Sequence, residues 1–173
     1  INMYFQFLPK LMYDPVGNGN SMLVTNIMKR AAFRANMKKE TVLLVKYDIA
    51  DGETPEIVAD RHHGSSHYHW VVMLLNDISD VHHDWPKSTR QLQKYVSLKY
   101  SVAQLSEVHH YEIPQTSGNT TVMIEVENTA YPSATPITNL SYEMNLNETK
   151  RKIELLKNEY LGFFVSEFEA IMG

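Results

Sequence analysis

Tyr47-Asp48-Ile49-Ala50-Asp51-Gly52-Glu53-Thr54-Pro55-Glu56-Ile57-Val58-Ala59 is the stretch on which the architecture turns. Leading into it, Thr41 to Ile49 is β-branched and aromatic, interrupted only by Lys46 and Asp48, and reads as a strand. Gly52 then permits a positive φ, Thr54 stands as N-cap and Pro55 fits the first helical position. The helix is expected to run to about His62 and stop at Gly64, where the chain can reverse. Ser66 to Asn76 shows helical spacing at Trp70, Leu74 and Ile78, so a second helix follows closely. Asp84-Trp85-Pro86-Lys87-Ser88 turns the chain again, and Ser88 caps a third helix with Leu92, Tyr95, Val96 and Tyr100 along one side. Trp70 is expected as core filler and Trp85 as a ring that locks the turn.

Upstream, Tyr4, Phe5, Phe7 and Leu8 form an apolar run closed by Pro9, which suits a strand or a docking arm. Asp14 to Ser21 reads as loop, and Thr25 as the cap of a short helix through Phe33. Downstream, Ser106 to Ile113 and Thr120 to Val126 flank a turn as a hairpin would. Asn128 to Asn139 reads as an uncharged connector. Alternation at Tyr142, Met144, Leu146, Ile153 and Leu155 suggests a second hairpin, with one long helix from 141 onward as its rival. Tyr160, Leu161, Phe164, Phe168 and Ile171 fit the period of a closing helix. The expected class is α+β: an N-terminal arm and short helix over 1–40, a strand–helix–helix core over 41–104, and hairpins with a final helix over 105–173.

The 173 residues correspond to about one domain. Sixteen Lys and Arg against twenty Asp and Glu give a net charge of −4, which lacks the footprint of a nucleic-acid binder. With no cysteine, disulfides, thiolate metal sites and cysteine nucleophiles drop out together. The longest apolar stretch, Trp70 to Leu75, is far below the roughly twenty residues of a membrane span, and no leader pattern is visible. The expectation is therefore a chain that is soluble and intracellular at synthesis, with neither nucleic acid nor membrane as partner.

Candidate chemistry is sparse. His62, His63, His67 and His69 are close enough in sequence to suggest a transition metal, but the cluster spans a helix end and a loop without a supporting carboxylate. His109 and His110 are expected on opposite faces of a strand. Glu53, Glu56 and Asp60 read as a solvated helix face near a positive dipole end rather than as an acid–base pair. No nucleophile elbow, phosphate loop or dinucleotide fingerprint occurs. No cofactor is expected, and by elimination the chain reads as a binding or assembly part.

Tyr47-Asp48-Ile49, Gly52-Glu53-Thr54, Ile57-Val58-Ala59, Gly64 and Asn76-Asp77-Ile78 together resemble a LysM module. Such modules have a strand–helix–helix–strand fold and usually bind N-acetylglucosamine polymers. A broader likeness joins Tyr4-Phe5-x-Phe7-x-Pro9, Gly52-Glu53-Thr54-Pro55-Glu56, His69-Trp70-Val71-Val72, Asn76-Asp77-Ile78-x-Asp80, Asp84-Trp85-Pro86, Lys99-Tyr100 and Asn147-Glu148-x-Lys150-Arg151-x-Ile153. In order and spacing over most of the chain these resemble the baseplate wedge protein 53 family of contractile-tailed bacteriophages.

That resemblance implies a structural, non-enzymatic virion protein with a LysM-like centre. It would help clamp neighbouring wedges into the sixfold ring around the tail hub. Its implied partners are other wedge and hub proteins, with weak glycan contact as a further one. The alternative it leaves open is a LysM-type peptidoglycan binder, although His62-His63 before Gly64 and the turn after Asp80 depart from ordinary LysM patterns. Interface residues are expected in the arm, at Tyr4, Phe5, Phe7 and Leu8, and on the last helix, at Tyr160, Phe164 and Phe168. Gly52, Thr54, Pro55, Gly64, Trp70, Asp84, Trp85 and Pro86 are expected to hold core and turns. Deleting residues 1 to 10 is expected to leave the fold intact and block assembly.

Overall fold

Thr54 is extended (φ −99°, ψ 163°) and its side chain accepts from the Ile57 N–H, so the helix starts where the cap allows. It ends at Gly64, whose φ of 73° is the left-handed conformation a side chain would strain. The computed structural model that shows this describes residues 6–28, 43–116, 118 and 122–172. Among them the chain is mixed α and β, with six α-helices and small antiparallel sheets. In order these are β1 (Lys10–Tyr13), β2 (Met22–Thr25), β3 (Leu44–Asp48), α1 (Pro55–His63), α2 (His69–Leu75), α3 (Val81–Asp84), α4 (Thr89–Lys99), β4 (Val108–Pro114), β5 (Met123–Val126), β6 (Thr135–Thr138), α5 (Asn139–Arg151), β7 (Lys152–Leu156) and α6 (Asn158–Met172).

The chain forms two compact units, Ile1–Trp85 with Lys152–Gly173, and Pro86–Arg151. In the first unit β3 pairs antiparallel with β7, Leu44 opposite Leu156 and Asp48 opposite Lys152. With α1 and α2 this makes a strand–helix–helix–strand layout whose last strand arrives after the whole of the second unit. The helix α2 is buried on two sides. Trp70, Val71 and Leu75 join Phe7, Leu8, Leu44, Leu156, Phe164, Phe168 and Met172 in one cluster. Val72 joins Ile49, Val58, Ala59, Trp85, Ile153 and Leu155 in another. The Trp70 ring lies 4.6 Å from that of Phe168 and 5.6 Å from that of Phe7, within the range of favourable aromatic pairs.

The second unit is built differently. Its sheet runs β5-β4-β6, and α4 starts on a reciprocal capping box between Ser88 and Gln91. Among the described residues Pro86, Val96 and Ala134 are its buried apolar side chains. On α5 the buried positions are Glu143 and Asn147, both polar.

Three local expectations change. The alternation at Tyr142, Met144 and Leu146 belongs to helix α5, not a hairpin, because that helix turns polar residues inward and leaves Met144 and Leu146 exposed. The connector contains β6, which pairs with β4. Thr25 ends a strand instead of capping a helix; the rest of that expected helix, from 29 on, lies outside the described residues.

Candidate assembly surface

The carboxylate of Glu53 is where the first unit's turns converge. It is buried, against the expectation of a solvated face, and accepts from the Tyr47 hydroxyl at 3.0 Å, the Ala50 N–H at 2.8 Å and the Arg61 guanidinium. Its backbone carbonyl accepts from Trp85 Nε1 at 2.7 Å, so the ring is anchored to the turn that precedes α1. Burial, with the neighbouring carboxylate, pushes the Tyr47 hydroxyl above its usual value. On the far side Asp84 accepts from the Asp80 and Ser79 N–H groups, which hold its carboxyl below the ordinary range. Pro55 is buried beside these turns, and Gly52 has φ 79°.

Asn76 is equally committed. Its amide nitrogen donates to Val72 and Glu154 carbonyls at 2.9 and 2.8 Å, and its oxygen accepts from the Glu154 N–H at 2.9 Å. The side chain thus extends the β7 backbone pairing as a strand would. The loops around Gly52 and Asn76 therefore hold polar groups already bonded within the chain.

The histidines serve the framework. His62 Nε2 lies 2.9 Å from the Leu156 carbonyl and His63 Nδ1 lies 2.8 Å from Asn158 Oδ1, while Asn158 donates back to the His62 carbonyl at 2.7 Å. These contacts fasten the end of α1 to the β7–α6 junction. Burial holds the His63 imidazole below its ordinary value. His109 and His110 do not face opposite sides, because an irregularity between Val108 and His110 turns them together, their Nδ1 atoms 2.8 Å apart. The His109 ring stacks on Tyr142 at 3.9 Å. Among the described residues no three His, Asp or Glu side chains gather to hold a metal ion.

Of the expected interface residues, Phe7, Leu8, Phe164 and Phe168 are buried against one another and Trp70. Tyr160 borders an apolar hollow of about 390 Å³ lined also by Leu43, Leu156, Phe163 and Phe164, with Phe163 outermost. Tyr4 and Phe5 lie outside the described residues.

Among the described residues of the first unit, the β1–β2 hairpin and its flanks hold a run of exposed apolar side chains. Leu11 faces Val24, Met12 faces Leu23 and Tyr13 faces Met22 across the ladder. Met12, Tyr13, Val16, Met22, Leu23, Ile27 and Met28 are all more than half exposed. A two-stranded hairpin is at best marginally stable in water alone. This one is stiffened at its tip, where Asp14 accepts from the Val16, Gly17 and Gly19 N–H groups at 2.7–3.1 Å. Those donors, Gly19 first, pull its carboxyl below the ordinary range. The signal was in the sequence: two short apolar runs, Leu11-Met12-Tyr13 and Met22-Leu23-Val24, flank a Pro/Gly/Asn loop. Reading Thr25 as a helix cap hid the second run.

A family model described as base plate wedge protein 53 matches residues 3–132. The chain belongs to the base plate wedge protein 53 family. No curated protein matches it. This baseplate wedge protein is thus a structural component of a phage tail, located in the virion and associated with other baseplate proteins. Among the described residues no helix is long and apolar enough to cross a membrane.

Proposed function

We propose that this wedge protein joins neighbouring wedge subunits into the sixfold ring around the tail hub, and that it converts no substrate. The observation that carries the reading is the β1–β2 hairpin, where seven large apolar side chains are more than half exposed. Exposed sheet edges and apolar ribbons are liabilities for a monomer and become interface in an assembly. The strand–helix–helix–strand layout of the first unit is what the LysM resemblance implies, and supports a LysM-like core. The internal bonding of Glu53 and Asn76 favours protein contact over sugar binding at that core.

Because Phe7 and Leu8 are core residues, removing residues 1–10 would open the packing around Trp70, so the test belongs on the hairpin. The double variant Met22→Asp/Leu23→Asp should keep the isolated chain's melting temperature within about 3 °C, since these side chains touch solvent. It should fail to enter tail assemblies when supplied to a phage lacking its own copy. Normal incorporation would contradict the reading. A pull-down on insoluble peptidoglycan should retain nothing; retention that survives high salt would favour the sugar-binding alternative.

A further inference from the structure

Toward its tip the hairpin is apolar and exposed on both faces, while at its base Leu11 and Val24 are partly covered on one face and Lys10 lies opposite Thr25 on the other. On the Lys10 face, Met12 and Leu23 stand opposite each other, 63% and 61% exposed; on the Leu11 face, Tyr13 and Met22 do so, 53% and 55% exposed. A strand pair meant to lie on one surface alternates apolar and polar, whereas strands covered on both faces read as continuous apolar runs. Leu11-Met12-Tyr13 and Met22-Leu23-Val24 are such runs. From Lys10 to Met28 the charged side chains are Lys10, at the base, and Asp14, whose carboxylate is already bonded to three backbone N–H groups. The ribbon can therefore enter an apolar space without stranding an unpaired charge.

Resting on the reading that the hairpin is an assembly contact, we infer that it is a tongue clamped on both faces within a two-walled, uncharged apolar cleft of a neighbouring baseplate protein. Each face offers on the order of 200 Å² from its two large side chains, far less than the roughly 800 Å² per partner of a stable interface. One face alone would not hold. Both faces together offer about 400 Å², and Val16, Ile27, Met28 and main-chain pairing along the strand edges bring the contact closer to that size. A second copy of this chain is a poorer occupant, because a two-fold pairing of hairpins stacks one face and leaves the other in water.

Met12 and Met22, one on each face, are built-in reporters. Dilute peroxide converts exposed methionine to its sulfoxide, and peptide mass spectrometry reads each site separately. In the isolated chain both should oxidise at similar rates; in purified tail particles both should be slowed about tenfold or more. Slowing at one site only would overturn the two-walled cleft and leave the hairpin as a one-sided contact. No slowing at either would overturn both the cleft and the assembly role of the hairpin. Light scattering on the isolated chain should report a monomer. A dimer in which either methionine is protected would replace the cleft with a second copy.

Discussion

Two buried carboxylates, Glu53 in the first unit and Glu143 in the second, show how differently the two halves of this chain are held. Glu53 accepts from a backbone N–H and a half-buried tyrosine as well as from the Arg61 guanidinium, whose side chain is 63% exposed. Glu143 accepts from the Lys99 ammonium at 2.5 Å and the Tyr100 hydroxyl at 3.1 Å, and the Lys99 side chain is 43% exposed. Glu53 adjoins the apolar cluster that holds Trp85, with Tyr47 packed against it; on the helix of Glu143 the apolar side chains Leu140, Met144 and Leu146 are exposed. The first unit is a core that happens to contain a polar knot. The second is a polar framework whose apolar side chains are left for something else to cover. Its α4–α5 hollow of about 480 Å³, lined by Leu92, Val96, Leu105, Leu140 and Met144, is part of that uncovered surface.

The sharpest way to break the comparison is to remove a ring from the first core. Trp70→Ala should lower the stability of that unit by about 3–5 kcal/mol, whereas Val96→Ala in the second should cost only about 1–2 kcal/mol. Urea titrations of the two variants would measure this, and equal losses would contradict it. Next come the carboxylates themselves. Glu53→Leu strands the Ala50 N–H and the Tyr47 hydroxyl and should cost about 2–3 kcal/mol. Glu143→Leu frees Lys99 to face water and should stay within about 1 kcal/mol of the parent.

Smaller changes refine the picture. Gly64→Ala places a side chain at φ 73° and should cost about 1 kcal/mol in thermal unfolding. Because the folded His63 has a depressed pKa, the unfolded chain takes up the proton first. Its contribution is therefore complete above about pH 6.5 and is lost as pH falls below that value. The melting temperature should drop between pH 7.5 and 5.5, and His63→Gln should flatten the drop. The smallest effect is expected in the second unit's sheet, where Glu112 stands opposite Glu125. Glu125→Lys should stabilise it by about 0.5 kcal/mol.

The same contrast explains what could be read from the sequence. Where apolar residues face inward, pattern and caps suffice: Thr54, Pro55 and Gly64 bound α1, and Ser88 starts α4. The hairpin β4–β5 follows from its turn. Where polarity is inverted, pattern misleads, so α5 looked like a strand pair because its inner residues are Glu143 and Asn147. Asn147 can be inside only because it exchanges hydrogen bonds with Lys87 N–H and carbonyl at 2.7 and 2.9 Å, partners sixty residues away. The pairing of β3 with β7 is likewise out of reach of local reasoning. Phe7, Leu8, Phe164 and Phe168, four of the residues expected to meet partners, share one buried cluster of the first unit, and an apolar arm and an apolar helix face carry no mark of which surface they cover. The hairpin bore its mark in two apolar runs around one loop.

The claim on which the account stands is that the residues this chain leaves uncovered, its β1–β2 hairpin first, are covered by neighbours in the baseplate. A reconstruction of the intact baseplate tests it directly. The account predicts residues 10–28 enclosed between side chains of an adjacent subunit, repeated around the tail axis. A hairpin standing in solvent at every copy would contradict it.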